Sequence, residues 1–158
     1  MTKVRHTATT ENLIGPFRVS VQCRRQLLDA GLWDNLGAIA TPTRVLDVLS
    51  LRLMYPHLSH PNDLKRDPGA DRSVAADKAR KNDEIHRIRI EHVAPQRAYT
   101  RAACDLIEAG GSDKELFAFI RGHFRLVLLT ADEMLQLNRR NRSRMDRHRL
   151  DGIELVGS

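Results

Sequence analysis

The sequence predicts a single α+β domain that is mostly helical and carries a small sheet. Its 158 residues suffice for one domain with a core of its own. Apolar residues recur at helical spacing in the first third of the chain, whereas two later segments have the pattern of short strands. The chain accordingly divides into an N-terminal helical subdomain (1–55), a polar loop or linker (56–84) and a strand–helix–helix–strand–helix unit (85–158).

The first helix is predicted over residues 18–30, after a polar and loosely ordered start at 1–16. One apolar residue per turn indicates it, at Val19, Cys23, Leu27 and Ala30. Gly31 supplies a left-handed C-cap, and Leu32 and Trp33 are expected to fold back on the last turn.

The second helix is predicted between Thr41, which caps it, and Pro56, which marks its exit. Pro42 suits its first position because proline needs no hydrogen-bond partner there. Apolar residues occupy nearly every side of this helix, so it is expected at the centre of the core. Residues 56–73 then form a long polar loop, and 74–84 are either a short helix or more linker.

The C-terminal unit begins with a strand in which Ile88, Ile90 and His92 alternate with charged residues. A helix follows Pro95. Ser112 with Glu115, and Thr130 with Glu133, form capping boxes that start two further helices. The apolar run 124–129 between those helices predicts the second strand, and 152–156 could be a short edge strand.

The charge balance favours a polyanionic partner. The chain has 26 Lys and Arg against 20 Asp and Glu, a formal charge of +6, and arginine dominates the basic set. Arginine suits phosphate because its planar guanidinium binds two oxygens at once. The two cysteines, Cys23 and Cys104, cannot form a disulfide scaffold and are expected to be small buried side chains. With no signal peptide or membrane span apparent, a cytoplasmic protein is expected.

The segment RIRIEHVAP (87–95) ends a predicted strand with an acid, a histidine, an apolar residue and a nearby proline. A second predicted strand then leads straight into a helix rich in Asn and Arg. This order resembles the His-Me finger nucleases of the HNH group, over about residues 86–145. The resemblance implies that Glu91 binds a divalent metal such as Mg²⁺ and that His92 is the general base. It also implies that Asn138 or Asn141 returns a further metal ligand from the helix.

Other interpretations of the same residues remain open. His92 could be a core histidine on the face of Ile88 and Ile90, and Glu91 could pair with Arg87 or Arg89. Asn138 could serve as a structural hydrogen-bonding residue. Glu133 is explained by its capping box. The arginines expected to contact phosphate are Arg87, Arg89, Arg139, Arg140, Arg142, Arg144, Arg147 and Arg149.

The sequence thus predicts a nucleic-acid-binding protein, with DNA favoured over RNA, that acts as a metal-dependent HNH-like endonuclease. An alternative is a non-catalytic nucleic-acid-binding regulator, or an inhibitor or accessory protein of a phage or mobile element. A third interpretation is an adaptor that binds a protein partner with an acidic surface. The absence of a phosphate-cradling GxxxxGK[ST], a G-x-S-x-G elbow and a GxGxxG motif argues against three common enzyme classes.

Overall fold

The computed structural model describes residues 9–140 and 150–157. The chain divides into two compact units: unit 1 is Met1–Pro56 with Thr100–Phe119, and unit 2 is His57–Tyr99 with Ile120–Ser158. The described residues are mostly helical and contain one two-stranded antiparallel sheet, which confirms the predicted α+β class. No helix among them is long and apolar enough to cross a membrane.

Unit 1 is built on the packing of α1 (Thr10–Asp29) against α2 (Ala40–Met54). Helix α1 starts well before the predicted residue 18, because the Thr9 hydroxyl caps it by accepting the Asn12 N–H at 3.2 Å. Phe17 is fully buried on α1. On α2, Leu46 and Leu49 are fully buried too, so these two helices supply much of the core of the unit.

The predicted apolar stripe of α1 is not its buried face. Val19 is 64% exposed and Cys23 is exposed, whereas Phe17 and Val21 are buried. Two residues along a helix correspond to a rotation of about 200°, so a stripe through 17 and 21 lies nearly opposite one through 19 and 23. Both stripes are apolar in the sequence, and only packing against α2 decides between them. The prediction that Cys23 is buried is therefore wrong, while that for Cys104 is confirmed.

The connection between α1 and α2 also differs from expectation. Residues 34–36 form a 3-10 turn, and Trp33 just before it is 69% exposed instead of folding back on α1. Helix α2 starts at Ala40, after Ile39 and without a side-chain cap, so Thr41 does not cap it. Val48 is 43% exposed, which leaves α2 one solvent-facing side.

Unit 2 is centred on the sheet of β1 (Ile88–His92) and β2 (Leu126–Thr130). The strands are antiparallel, with Ile88 opposite Thr130 and His92 opposite Leu126. Between them in the chain come α4 (Gln96–Glu108) and α5 (Asp113–His123). After β2 the chain continues directly into α6 (Ala131–Arg140), which packs on both strands.

The polar segment 56–84 contains more structure than a linker. It holds a 3-10 helix (Pro61–Arg66) and α3 (Val74–Lys81), so the helical alternative for 74–84 is the one observed. Ser73 caps α3 by accepting the Ala76 N–H, and Leu64 is completely buried. The expected edge strand near 152–156 is reduced to a single bridge between Ser73 and Leu155.

Candidate functional site

The candidate site is the end of β1, where Glu91 and His92 follow one another. Side chains alternate between the two faces of a strand, so these two neighbours project to opposite sides of the sheet. Residues directly opposite in an antiparallel pair share a face. Glu91 therefore shares its face with Val127, and His92 shares its face with Leu126. Both Glu91 and His92 are half-buried.

The face of Glu91 is the one that α6 covers. Val127 and Leu129 of β2 belong to one buried cluster with Leu137 of α6. Val93, two residues after Glu91, belongs to the same cluster. The predicted acidic metal ligand and the helix expected to return a second ligand thus lie on the same side of the sheet.

His92 lies on the other face, beside an aromatic side chain. Its ring meets that of Phe124 edge-on, with the centroids 5.7 Å apart and the planes at 71°. Phe124 in turn contacts the buried ring of Tyr99, at 5.8 Å between centroids. This surrounding agrees with the alternative interpretation of His92 as a histidine held against the core.

The start of α6 is fixed by Glu133, as the capping box predicts. The Glu133 Oε1 atom accepts hydrogen bonds from the Thr130 N–H and the Thr130 hydroxyl, both at 3.0 Å. The Glu133 N–H donates back to the Thr130 hydroxyl at 3.3 Å. The same Oε1 atom accepts a hydrogen bond from the buried Ser73 hydroxyl at 2.6 Å. Glu133 is therefore a structural residue that joins the starts of α3 and α6.

Two of the remaining predicted site residues lie near the far end of α6. Asn138 and Arg139 are both exposed, directly after the buried Leu137. The side chain of Arg140 lies outside the described residues, and so do the other predicted residues of this segment, Asn141, Arg142, Arg144, Arg147 and Arg149.

The two arginines of the first strand region have partners within their own segment. Arg87 donates to Glu84 at 2.7 Å, which lowers the pKa of that carboxyl group. The guanidinium of Arg89 donates to the main-chain carbonyls of His86 and Ile88. Arg87 thus pairs with Glu84, and Arg89 bonds main-chain carbonyls. In the described part of the chain, neither arginine forms the ion pair with Glu91 that the sequence left open.

The positive charge of the chain is concentrated in one short segment. Residues 139–149 contain six arginines and one aspartate, a formal +5 out of +6 for the whole chain. Elsewhere many arginines are matched by acids. The pairs include Arg18–Asp113, Arg24–Asp34, Arg25–Glu108, Arg72–Asp77, Arg101–Asp34 and Arg125–Asp71. The excess that favours a polyanion therefore falls on the end of α6 and the residues after it.

A divalent metal is implied by the resemblance, and its fit depends on the donors available. Among residues 9–140 and 150–157, no group of three or more His, Cys, Asp or Glu side chains could hold a metal ion. A carboxylate from Glu91 and an amide oxygen from Asn138 are hard donors. Mg²⁺ is commonly held by one or two carboxylates, with water and substrate phosphates completing its coordination. By their chemistry, oxygen donors of this kind suit Mg²⁺ and do not suit a structural zinc ion.

Comparison of the chain with family models, with curated proteins and with solved structures gave no match.

The sequence missed one feature that the fold brings together. Asp34, in the turn after α1, accepts hydrogen bonds from Arg24 and from Arg101, the latter 67 positions further along the chain. Arg24 is 7% exposed, and its hydrogen bonds hold the pKa of Asp34 down at about 2. The one available signal was an arginine three residues after Val21, on the same side of the helix, but nothing local identifies its partner.

Proposed function

We propose that this protein binds nucleic acid and hydrolyses its phosphodiester bonds with the help of a divalent metal ion. The observation that carries the proposal is the order β1, β2, α6, in which α6 directly follows the second strand and packs on both strands. Glu91 lies on the face of the sheet that α6 covers. A metal ion held jointly by the strand and the helix requires this arrangement.

Each candidate residue has a role that follows from its chemistry. Glu91 and Asn138, with Asn141 as the alternative to Asn138, would hold the metal through oxygen atoms. The metal supplies positive charge that stabilises the developing charge on the phosphate and the leaving oxygen. His92, as a neutral imidazole, would accept a proton from the attacking water. Because His92 projects to the opposite face from Glu91, this role requires the backbone to turn at the strand end, where Val93 and Ala94 form a bend.

The arginines from Arg139 onward would contact the phosphates next to the cleaved bond. Their positive charge is not offset within their own segment, since Asp146 is the single acid between residues 139 and 149. Arg139 itself is exposed at the end of α6. Electrostatic attraction of this kind contributes affinity without sequence preference.

Incubation of the pure protein with plasmid DNA and with structured RNA tests the proposal. Cleavage is expected with Mg²⁺, Mn²⁺ or Ni²⁺ and is expected to stop when a chelator is added. His92→Ala and Glu91→Gln should each lower the cleavage rate by at least about 100-fold, the usual range for removing an acid–base group. His86→Ala, a change at the exposed histidine just before β1, is the matched control and should cleave like the parent protein.

A second candidate function is non-catalytic binding, and the contact between His92 and Phe124 favours it. In that case the parent protein cleaves nothing with any of the metals, yet binds nucleic acid with an affinity that falls steeply with salt. His92→Ala then lowers the melting temperature, because the ring packs against Phe124, and leaves the binding unchanged. Metal-dependent cleavage that disappears in both Glu91→Gln and His92→Ala would rule this second candidate out.

A further inference from the structure

The turn between α1 and α2 exposes two large apolar side chains. Trp33 is 69% exposed and Leu36 is 70% exposed, the highest values among the large apolar residues of the described chain. The Leu36 N–H donates to the Trp33 carbonyl at 2.9 Å, so one turn of 3-10 helix separates the two residues. Most of the surface of each side chain is therefore in contact with water and accessible to a ligand.

The turn that presents Trp33 is held firmly. Asp34 receives the Arg24 guanidinium in a two-bond fork, with its Nε at 2.9 Å and its Nη2 at 2.8 Å. Arg101 adds a third bond, from its Nε to Asp34 Oδ2, at 2.8 Å. The side chains of Arg24 and Asp34 are only 8% and 10% exposed. Charge-assisted hydrogen bonds of this kind are among the strongest hydrogen bonds in proteins. The turn that carries Trp33 is therefore preorganised for binding.

Arg101 adds an accessible positive charge to this surface. Its side chain is 45% exposed, and within the described part of the chain only its Nε atom is engaged. Its terminal amino groups are thus left to bind a ligand. The linked ion pairs comprise three arginines (Arg24, Arg25 and Arg101) and two acids (Asp34 and Glu108), an excess of one positive charge. Of the two arginines on Asp34, Arg101 is the exposed one.

We propose that Trp33 is a stacking platform for the bases of single-stranded nucleic acid, with Arg101 binding the adjacent phosphate. This inference rests on the proposed nucleic-acid-binding function and specifies its substrate class. Stacking on an aromatic ring requires unpaired bases, because the bases of a duplex already stack on each other. The charge of Arg101 favours a polyanion over an apolar protein surface.

The test uses the fluorescence of Trp33, which is the single tryptophan of the chain. The protein is titrated, with chelator present to prevent cleavage, with a labelled single-stranded oligonucleotide, with a duplex of equal length and with heparin. Anisotropy of the label reports binding of the oligonucleotides, and tryptophan emission reports contact with Trp33. The single strand is expected to quench the emission, whereas heparin, a polyanion without bases, is expected to leave it unchanged.

Variants separate stacking from a general effect on the surface. Trp33→Ala should weaken single-strand binding by roughly tenfold or more, whereas Trp33→Phe should retain most of the affinity. Arg101→Gln should weaken it by a smaller factor. Val48→Ala, at another exposed apolar side chain of unit 1, is the control and should bind like the parent.

Two results would overturn the inference while leaving the proposed function standing. One is that the single strand binds without changing the tryptophan emission and that Trp33→Ala binds it with the same affinity as the parent. The other is an emission change on dilution without nucleic acid, which would assign the surface to protein self-association. Failure of every nucleic acid to bind would overturn the proposed function together with this inference.

Discussion

Two carboxylates, Asp34 in unit 1 and Glu133 in unit 2, each collect three hydrogen bonds, but from different kinds of donor. Asp34 is bonded only by guanidinium groups, two bonds from Arg24 and one from Arg101. Glu133 is bonded only by neutral groups, namely the Thr130 N–H and the hydroxyls of Thr130 and Ser73. Unit 1 thus contains an ionic network whose central pair is nearly buried, whereas the described donors that cap the start of α6 are all neutral.

The difference separates two groups of arginines in this chain. In unit 1 arginine is a structural residue that holds a turn in place. In the sequence around the end of α6, six arginines lie within residues 139–149 beside one aspartate, so their charge is not offset in the same way. Under the proposed function the second set binds phosphate. In unit 1, Arg24 is nearly buried in the turn, whereas Arg101 bonds Asp34 through its Nε atom and keeps an exposed side chain.

The largest expected effect comes from breaking the ionic network. Asp34→Ala leaves Arg24 charged and nearly buried, with only Glu108, at 3.7 Å, as a remaining acid. The free energy of unfolding should fall by about 3 kcal/mol. Urea denaturation measures this, with Asp113→Ala as the control. Asp113 also pairs with an arginine, Arg18, but both side chains are more than a third exposed. Removing the Asp113 carboxylate should therefore cost under about 1 kcal/mol. Equal destabilisation of the two variants would contradict the distinction.

The same network predicts a pH dependence. The guanidinium of Arg24, aided by Arg101, lowers the pKa of Asp34 from 3.8 to about 2, although burial opposes this. A lowered pKa means that the folded state holds fewer protons than the unfolded state, so the stabilisation is complete above about pH 4. It is lost as the pH falls through about 2. The difference in unfolding free energy between the parent and Asp34→Ala should therefore narrow by about 2 kcal/mol between pH 5 and pH 2. A difference that stays constant would contradict this assignment.

A smaller effect is expected at Glu133. Glu133→Ala removes the acceptor of three hydrogen bonds, so the buried Ser73 hydroxyl loses the carboxylate to which it donates. The free energy of unfolding should fall by about 2 kcal/mol. Glu133→Gln keeps one oxygen acceptor and should cost less than Glu133→Ala. Glu115→Ala removes the capping box of α5, whose Ser112 is exposed, and should cost about 1 kcal/mol or less. If Glu115→Ala destabilised the protein more than Glu133→Ala, the role of Ser73 would be wrong.

Local signals predicted the elements that depend on neighbours in the chain. The capping boxes at Ser112 and Thr130 form as expected, because each needs only residues three positions apart. Strand β1 follows from its alternating pattern, and the class of the fold follows from the order of elements. The helix at 74–81 has Ser73 as an N-cap, which the sequence alone left undecided against a linker.

Long-range packing decided what the sequence could not. The phase of α1 depends on which of two apolar stripes meets α2, and the stripe through Val19 and Cys23 is the exposed one. The bond between Asp34 and Arg101 joins residues 67 positions apart, so no spacing rule could reveal it. At the candidate site, the alternation of the sequence already puts Glu91 and His92 on opposite faces of the strand, and the structure adds that α6 covers the face of Glu91.

The most direct test of nucleic-acid binding is the salt dependence of affinity. The parent is compared with the triple variant Arg140→Gln, Arg142→Gln, Arg144→Gln, using a labelled oligonucleotide in chelator. The control is a triple variant with the same change in charge at arginines that have acidic partners, Arg18→Gln, Arg66→Gln, Arg125→Gln. We expect the logarithm of the affinity to fall linearly with the logarithm of the salt concentration. The first variant should flatten this slope by about 0.7 to 0.9 for each phosphate that it no longer binds, while the control keeps the parent slope. A parent protein without salt-dependent binding, or equal slopes in all three proteins, would contradict this expectation.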